Sequence, residues 1–221
     1  MDPQDISGLV SVLHNTPSPV SLLRHYPDLG LPHYWYEAAG RHDPPYTSHE
    51  EDAVVEAKKF DPPAADEVFD NIYLGNKAAA EDAEFLVSKG ITAVLNLASD
   101  TNLKFFVVPD KEKLDKLGIE LKEMKLRDRA GENICEKFRE SGMWIRACVL
   151  AGGRVMVNCW QGASRSATIV LAYLVQHHKI PLIQALAMVK TRRDIRPNNG
   201  FLKQLLLLEV QLLQGNIRDV L

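Results

Sequence analysis

From residue 66 the sequence repeats one pattern: a short β-rich apolar run, then a longer stretch with helical periodicity. "NIYLG" (71–75) ends in Gly75, and "KAAAEDAEFLVSKG" (77–90) follows as a helix stopped by a glycine. "ITAVLNL" (91–97) reads as a buried strand. After an irregular charged stretch over 99–118, "IELKEMKL" (119–126) alternates like a half-buried strand. "CEKFRESGMWIRACVLAGG" (135–153) reads as a helix with a Gly-Gly stop, and "RVMVN" (154–158) as a short interior strand. "SATIVLAYLVQHH" (166–178) is apolar on most sides and predicts a buried central helix. Two further amphipathic helices are expected from "PLIQALAMVKTRR" (181–193) and "NGFLKQLLLLEVQLLQGN" (199–216). Strands alternating with helices define an α/β class: a central, mostly parallel sheet flanked by helices on both faces.

The first 65 residues do not share this pattern. They hold nine of the twelve prolines, five of the seven histidines, ten acids and only four Lys/Arg, a formal net charge of −6 against +3 for residues 66–221. The expected organisation is a Pro-rich, acidic, partly ordered extension over 1–65, a folded core domain over 66–216 and a tail over 217–221. Within the extension, "YPDLGLPHYWYEAAGRHDPPY" carries aromatics but breaks often; it can pack on the domain or bind a partner.

Composition narrows the class of function. With 46% hydrophobic and 25% charged residues, the 221-residue chain fits an ordinary globular protein. No apolar run reaches the roughly 18 residues of a membrane span, so no membrane partner is expected. "MDPQDISG" does not read as a secretory signal. Cysteines at 135, 148 and 159 give neither a disulfide framework nor a CxxC metal pair. No metal or cofactor is expected, and a reducing cytosolic or nuclear location is. A core charge of +3 draws no nucleic-acid stripe, so no nucleic-acid partner is expected.

The chemistry concentrates in "VNCWQGASRS" (157–166), between the interior strand and the buried helix. In α/β folds, ligands bind beyond the C-terminal ends of strands, where a loop enters a helix. There the backbone N–H groups of Cys159, Trp160, Gln161, Gly162, Ala163 and Ser164 can point at an anion, and the helix dipole adds positive potential. Gly162 lets the backbone curl around that anion. Arg165 offers a planar fork that matches two phosphate oxygens. The same field stabilises a thiolate at Cys159, which makes it a nucleophile. Ser164 and Ser166 supply hydroxyls to the loop or the sulfur. The alternative, Cys159 as a small core residue at a strand end, leaves Gly162 and Arg165 without a purpose.

"C-x-x-G-x-S-R-S" resembles the signature loop of the cysteine-dependent protein phosphatases. "NIYLGN", "GITAVLNLA" and "IRPNNGFLKQL" are similar, in order, to flanking motifs of the atypical dual-specificity phosphatases of the VHR type. The resemblance runs from about residue 66 to 214. It implies a protein-tyrosine-phosphatase-like fold and a phosphocysteine intermediate. It also implies no metal, and phosphotyrosine and phosphoserine/threonine substrates, MAP kinases among them. It implies a general acid at Asp128, thirty-one residues before Cys159 in "KLRDRAGENICEKF"; the alternative is a solvated loop aspartate between Arg127 and Arg129. Those arginines can meet a second phosphate or face water. Arg193 matches a position at the site rim or is a solvated helix end. Asn198 is expected to tie the signature loop through its amide, or is a plain turn residue.

The sequence departs from the family at Asn158, where the family has histidine. Asparagine keeps hydrogen bonds but no proton that titrates near neutral pH. The expectation is loop support by Asn158 with reduced or altered activity. The competing class is a pseudophosphatase that binds phosphoprotein with little turnover. A third is a phosphatase for RNA 5′ ends, phosphoinositides or glycans. Trp160 also departs, as an aromatic wall at the pocket mouth or a packing residue on the neighbouring loop.

Overall fold

Five strands, β1 (Ala65–Phe69), β2 (Ile72–Gly75), β3 (Ala93–Asn96), β4 (Glu120–Glu123) and β5 (Val155–Asn158), form one sheet. The structure is a computed structural model, and its described residues are 63–98 and 109–213. These belong to one compact unit that begins at Pro63. Most of the extension expected over 1–65 and the tail over 217–221 lie outside the described residues.

The strand order is β1-β2-β5-β3-β4. β2, β5, β3 and β4 run parallel, and only β1 is antiparallel to its neighbour. The mostly parallel sheet expected from the sequence is therefore present, with β5 at its centre. Register sorts the side chains by period two. Tyr73, Met156 and Val94 lie abreast across three strands, as do Leu74, Val157 and Leu95. Tyr73, Met156 and Val94 pack with Ala79, Ala80, Ala83, Leu86 and Leu114 in one buried cluster. Those partners come from α1 (Lys77–Glu81), α2 (Ala83–Ser88) and α3 (Lys111–Lys116).

The helices α4 (Phe138–Leu150), α5 (Arg165–His177), α6 (Leu182–Lys190) and α7 (Asn199–Leu213) complete the domain, with α5 against β2 and β5 and in contact with the other three. Twelve of its thirteen residues, Arg165 to Gln176, are buried, which is why its sequence reads apolar on most sides. Leu74, Leu95 and Val157 have no exposed surface. Truncating Leu95 to alanine should cost about 2–5 kcal/mol.

Three local expectations change. The single helix read over 77–90 is two, because Asp82 leaves the helical region (φ −95°, ψ 95°) and caps α2 by accepting from the Phe85 N–H at 3.0 Å. Gly90, at φ +67°, does end the pair. The stretch 99–118, expected to be irregular, contains α3 at Lys111–Lys116, capped by Asp110; residues 99–108 lie outside the described residues. β1 was not expected at all.

Candidate active site

The sheet delivers Cys159 to the site. It follows β5 directly, at the C-terminal edge of the parallel strands, and only 2% of it is exposed. The chain then turns through Trp160–Ser164 into α5. Gly162 makes that turn at φ +71°, and a Cβ there would come within 2.5 Å of the Gly75 carbonyl oxygen. No side chain caps α5, so its first N–H groups stay open toward the loop.

Burial alone would push the Cys159 thiol up. The Arg165 guanidinium, the Ser166 hydroxyl and the N–H groups of Ser166 and Ala163 outweigh it and hold the thiol below its ordinary value. Ser166 Oγ donates to the sulfur at 3.2 Å. This cysteine is thereby a thiolate at lower pH than a free one. Cys148 is the contrast: burial pushes its thiol up to about 11.

Arg165 is itself buried, with 8% exposed. Its Nη1 donates to the carbonyls of Leu97 (3.2 Å) and Leu126 (3.0 Å), which follow β3 and β4. That leaves Nε, a buried donor without a hydrogen-bond partner. Asp128 Oδ2 lies 3.6 Å from Nε, close enough for attraction and too far for a hydrogen bond. A tetrahedral anion over the loop would give that donor its acceptor.

Asp128 joins the site from the loop after β4. Its Oδ1 accepts from Ser164 Oγ at 2.7 Å and from Asn198 Nδ2 at 3.0 Å. Asn198 thus meets the carboxylate, while its own Oδ1 accepts from the Phe201 N–H at 3.0 Å; the tie to the Cys159 loop runs through Asp128 and Ser164. Arg127 and Arg129 flank the carboxylate with exposed side chains.

Arg193 braces the loop from outside. Nε donates to the Gly162 carbonyl and Nη2 to the Gln161 carbonyl, both at 2.9 Å, and Nη1 pairs with Asp66 Oδ2 at 2.6 Å. Its donors are engaged with the protein at the edge of the Cys159 loop, so it is not a solvated helix end. The Ala163 carbonyl accepts from the Arg196 N–H at 2.7 Å. Trp160 places its ring 5.4 Å from Lys77 Nζ, and its carbonyl accepts from the Lys77 N–H at 3.0 Å.

Asn158 is fully buried, and its Nδ2 donates to Asn96 Oδ1 at 3.0 Å. The same Asn96 oxygen accepts from the Ala98 N–H at 3.0 Å. A neutral chain therefore links β5 to the turn that presents Leu97 to Arg165. Asn158 Oδ1 is buried without a hydrogen-bond partner.

Sequence reasoning missed Asp66, Asn96, Leu97 and Leu126. Asn96 left a signal, a lone amide inside the apolar run "ITAVLNL". Leu97 and Leu126 act through backbone carbonyls and left none.

A buried, acidified thiol beneath an arginine-clamped anion cradle, at the C-terminal edge of a parallel sheet, defines a cysteine-dependent phosphatase. Comparison with known proteins narrows the class. Residues 72–211 match the family "Dual specificity phosphatase, catalytic domain". The chain is 40% identical over 152 residues to dual specificity protein phosphatase 26 of human and of cattle, covering 68% of this chain and 70% of each relative. Human DUSP28 superposes with a TM-score of 0.60 at 30% identity, over 70% of this chain and 97% of that one. A mouse dual specificity phosphatase complexed with zinc tungstate gives 0.61 at 30% identity, over 73% and 96%. The chain belongs to the dual-specificity phosphatases, in the atypical branch of the protein-tyrosine-phosphatase superfamily.

Proposed function

We propose that this phosphatase hydrolyses phosphotyrosine and phosphoserine/threonine in proteins through a phosphocysteine at Cys159. The observation that carries the reading is the pairing of an acidified Cys159 thiol with the unpartnered buried Nε of Arg165. The substrate phosphoryl group sits on the loop N–H groups and the Arg165 fork. The Cys159 thiolate attacks phosphorus, an S–P bond forms, and the P–O bond to the substrate breaks. The departing oxygen takes a proton from the Asp128 carboxyl, because an alkoxide or phenolate leaves poorly without one. Water then attacks phosphorus, gives its proton to the Asp128 carboxylate, and the S–P bond breaks to return the thiolate and release phosphate.

Among phosphoproteins, MAP kinases are the substrate class that the family resemblance suggests. The exposed Arg127 and Arg129 beside Asp128 suit a segment carrying two phosphates. Cytosol or nucleus suits a thiol that must stay reduced. A second reading, a phosphoprotein-binding module with little turnover, is favoured by Asn158 in place of the family histidine.

One preparation of the full chain, assayed for phosphate release from phosphotyrosine and phosphothreonine peptides, a phosphoinositide and 5′-phosphorylated RNA, tests these readings together. Release from both peptides is expected. Binding of peptide without release would give the second reading, and release from lipid or RNA alone would move the substrate class.

A further inference from the structure

The loop that carries Asp128, residues 124–133, has no regular secondary structure. Its flanks are anchored by the buried side chains of Met124, Leu126 and Ile134. Its middle is exposed at Arg129, Ala130 and Gly131. A general acid needs to sit within about 2.6–3.2 Å of the oxygen it protonates. A misplacement of about 1 Å can cost on the order of a hundredfold in rate. Anchors at the loop's ends alone would leave its middle soft.

The start of α7 meets that middle at successive points. Asn198, just before the helix, holds the Asp128 carboxylate. Two residues on, Gly200 lies so close to the loop that a Cβ would overlap the Ala130 carbonyl oxygen. One helical turn later, Gln204 uses both ends of its amide on the closing segment. Its Nε2 donates to the Glu132 carbonyl at 2.8 Å, and its Oε1 accepts from the Cys135 N–H at 2.9 Å. A glycine inside a helix is less favourable than alanine by about 1 kcal/mol. Here the missing Cβ is what lets the loop lie against the helix. An amide is the side chain that can donate to one backbone group and accept from another.

We propose that Gly200 and Gln204 are positioning residues for proton transfer: the first turns of α7 form a rigid seat that fixes Asp128 over the leaving oxygen. This rests on the reading of Asp128 as the general acid. The contacts of Gly200 and Gln204 fall on Ala130, Glu132 and Cys135 of the acid's loop, and the seat reaches the Cys159 loop only through the Asp128–Ser164 hydrogen bond. Its loss therefore slows formation of the phosphocysteine only where the leaving group needs a proton, while hydrolysis of the phosphocysteine, in which Asp128 takes the water's proton, is shared by every substrate.

The test compares kcat/KM, which reads formation of the phosphocysteine and not its hydrolysis, for a phosphotyrosine peptide, a poor leaving group, and for an activated aryl phosphate that leaves unaided. Asp128→Asn is expected to lose about a hundredfold on the peptide and only about threefold on the activated substrate. Gly200→Ala and Gln204→Leu should each lose about tenfold on the peptide and stay within about twofold on the activated substrate, which also reports that they fold. Added to Asp128→Asn, neither should lower the rate further, because the group they position is gone. Gln204→Glu keeps the acceptor for Cys135 and loses the donor for Glu132, so it should fall between wild type and Gln204→Leu. If Asp128→Asn discriminates between the substrates and the α7 variants do not, the seat is overturned while the acid stands. If Asp128→Asn does not discriminate, the acid assignment fails and the seat fails with it.

Discussion

At the scale of single residues, the reactive centre is a balance between a buried sulfur and the groups that face it. Burial opposes the thiolate; Arg165, Ser166 and two backbone N–H groups overcome it. Ser166→Ala removes one of those groups, so the thiol should ionise at higher pH. On the proposed mechanism activity needs the thiolate, so the acidic limb of kcat/KM against pH should move to higher pH; a limb that stays in place would remove Ser166 from the balance. Asn158 tests a different link. Its amide reaches Asn96 and through it the turn bearing Leu97, the acceptor for Arg165. Asn158→His should raise turnover on phosphopeptides by about tenfold, roughly 1.4 kcal/mol of barrier, and shift the same acidic limb. Peptide affinity measured in a Cys159→Ser background should change little. No change in rate or profile would mean that the position does not tune the thiol. Cys159 and Arg165, the proposed nucleophile and clamp, could be singled out in the sequence because the chemistry proposed for them resides in their side chains. The holders of Arg165 were not, since any residue can supply the carbonyls of Leu97 and Leu126.

At the scale of elements, the Cys159 loop is held between β1 and the segment after α6. Arg193 links the Gln161 and Gly162 carbonyls to Asp66 on β1. Arg193→Met should loosen the cradle, raising KM for phosphopeptides and weakening inhibition by inorganic phosphate, the tetrahedral product. Asp66→Asn should do much less, because Asp66 is 49% exposed and an exposed pair contributes about 0–1 kcal/mol. Equal effects of the two variants would mean that the ion pair, and not the carbonyl bonds, holds the loop. Element boundaries were legible where one signal dominated, as in the apolar run of β5 and the buried α5. They failed where signals competed. Asp82 sits in a stretch of good helix formers, yet as an N-cap it offers the backbone another partner and splits the helix. The expected domain start at residue 66 falls inside "ADEVF", whose strand character Asp66 and Glu67 mask. Among the described residues β1 is an edge strand, paired with β2 alone, and Asp66 and Glu67 are exposed there.

At the scale of the whole molecule, residues 63–98 and 109–213 supply every element of the described sheet and site. Deleting residues 1–61 should therefore leave a folded domain with unchanged kcat on a small aryl phosphate; an unfolded product by circular dichroism would put part of the leader into the core. Stability should also depend on pH through the end of α5. Burial, then Arg146, Lys179 and His178, hold His177 below its ordinary value of 6.5, and burial and Arg146 do the same for His178. A histidine kept neutral by the fold contributes stability above about pH 6.5 that is lost as pH falls through its folded value. The melting temperature should fall on acidification from neutrality, and less steeply in His177→Asn; an unchanged slope would place the pH dependence elsewhere. The central claim is covalent chemistry at Cys159, and rapid acid quench of the full chain during turnover of a phosphopeptide, followed by peptide mass mapping, tests it most directly. The account predicts one added phosphoryl group on the peptide containing Cys159, absent in Cys159→Ser, which should also have no turnover. Undiminished hydrolysis by Cys159→Ser, or a phosphoryl group on any other residue, would contradict it.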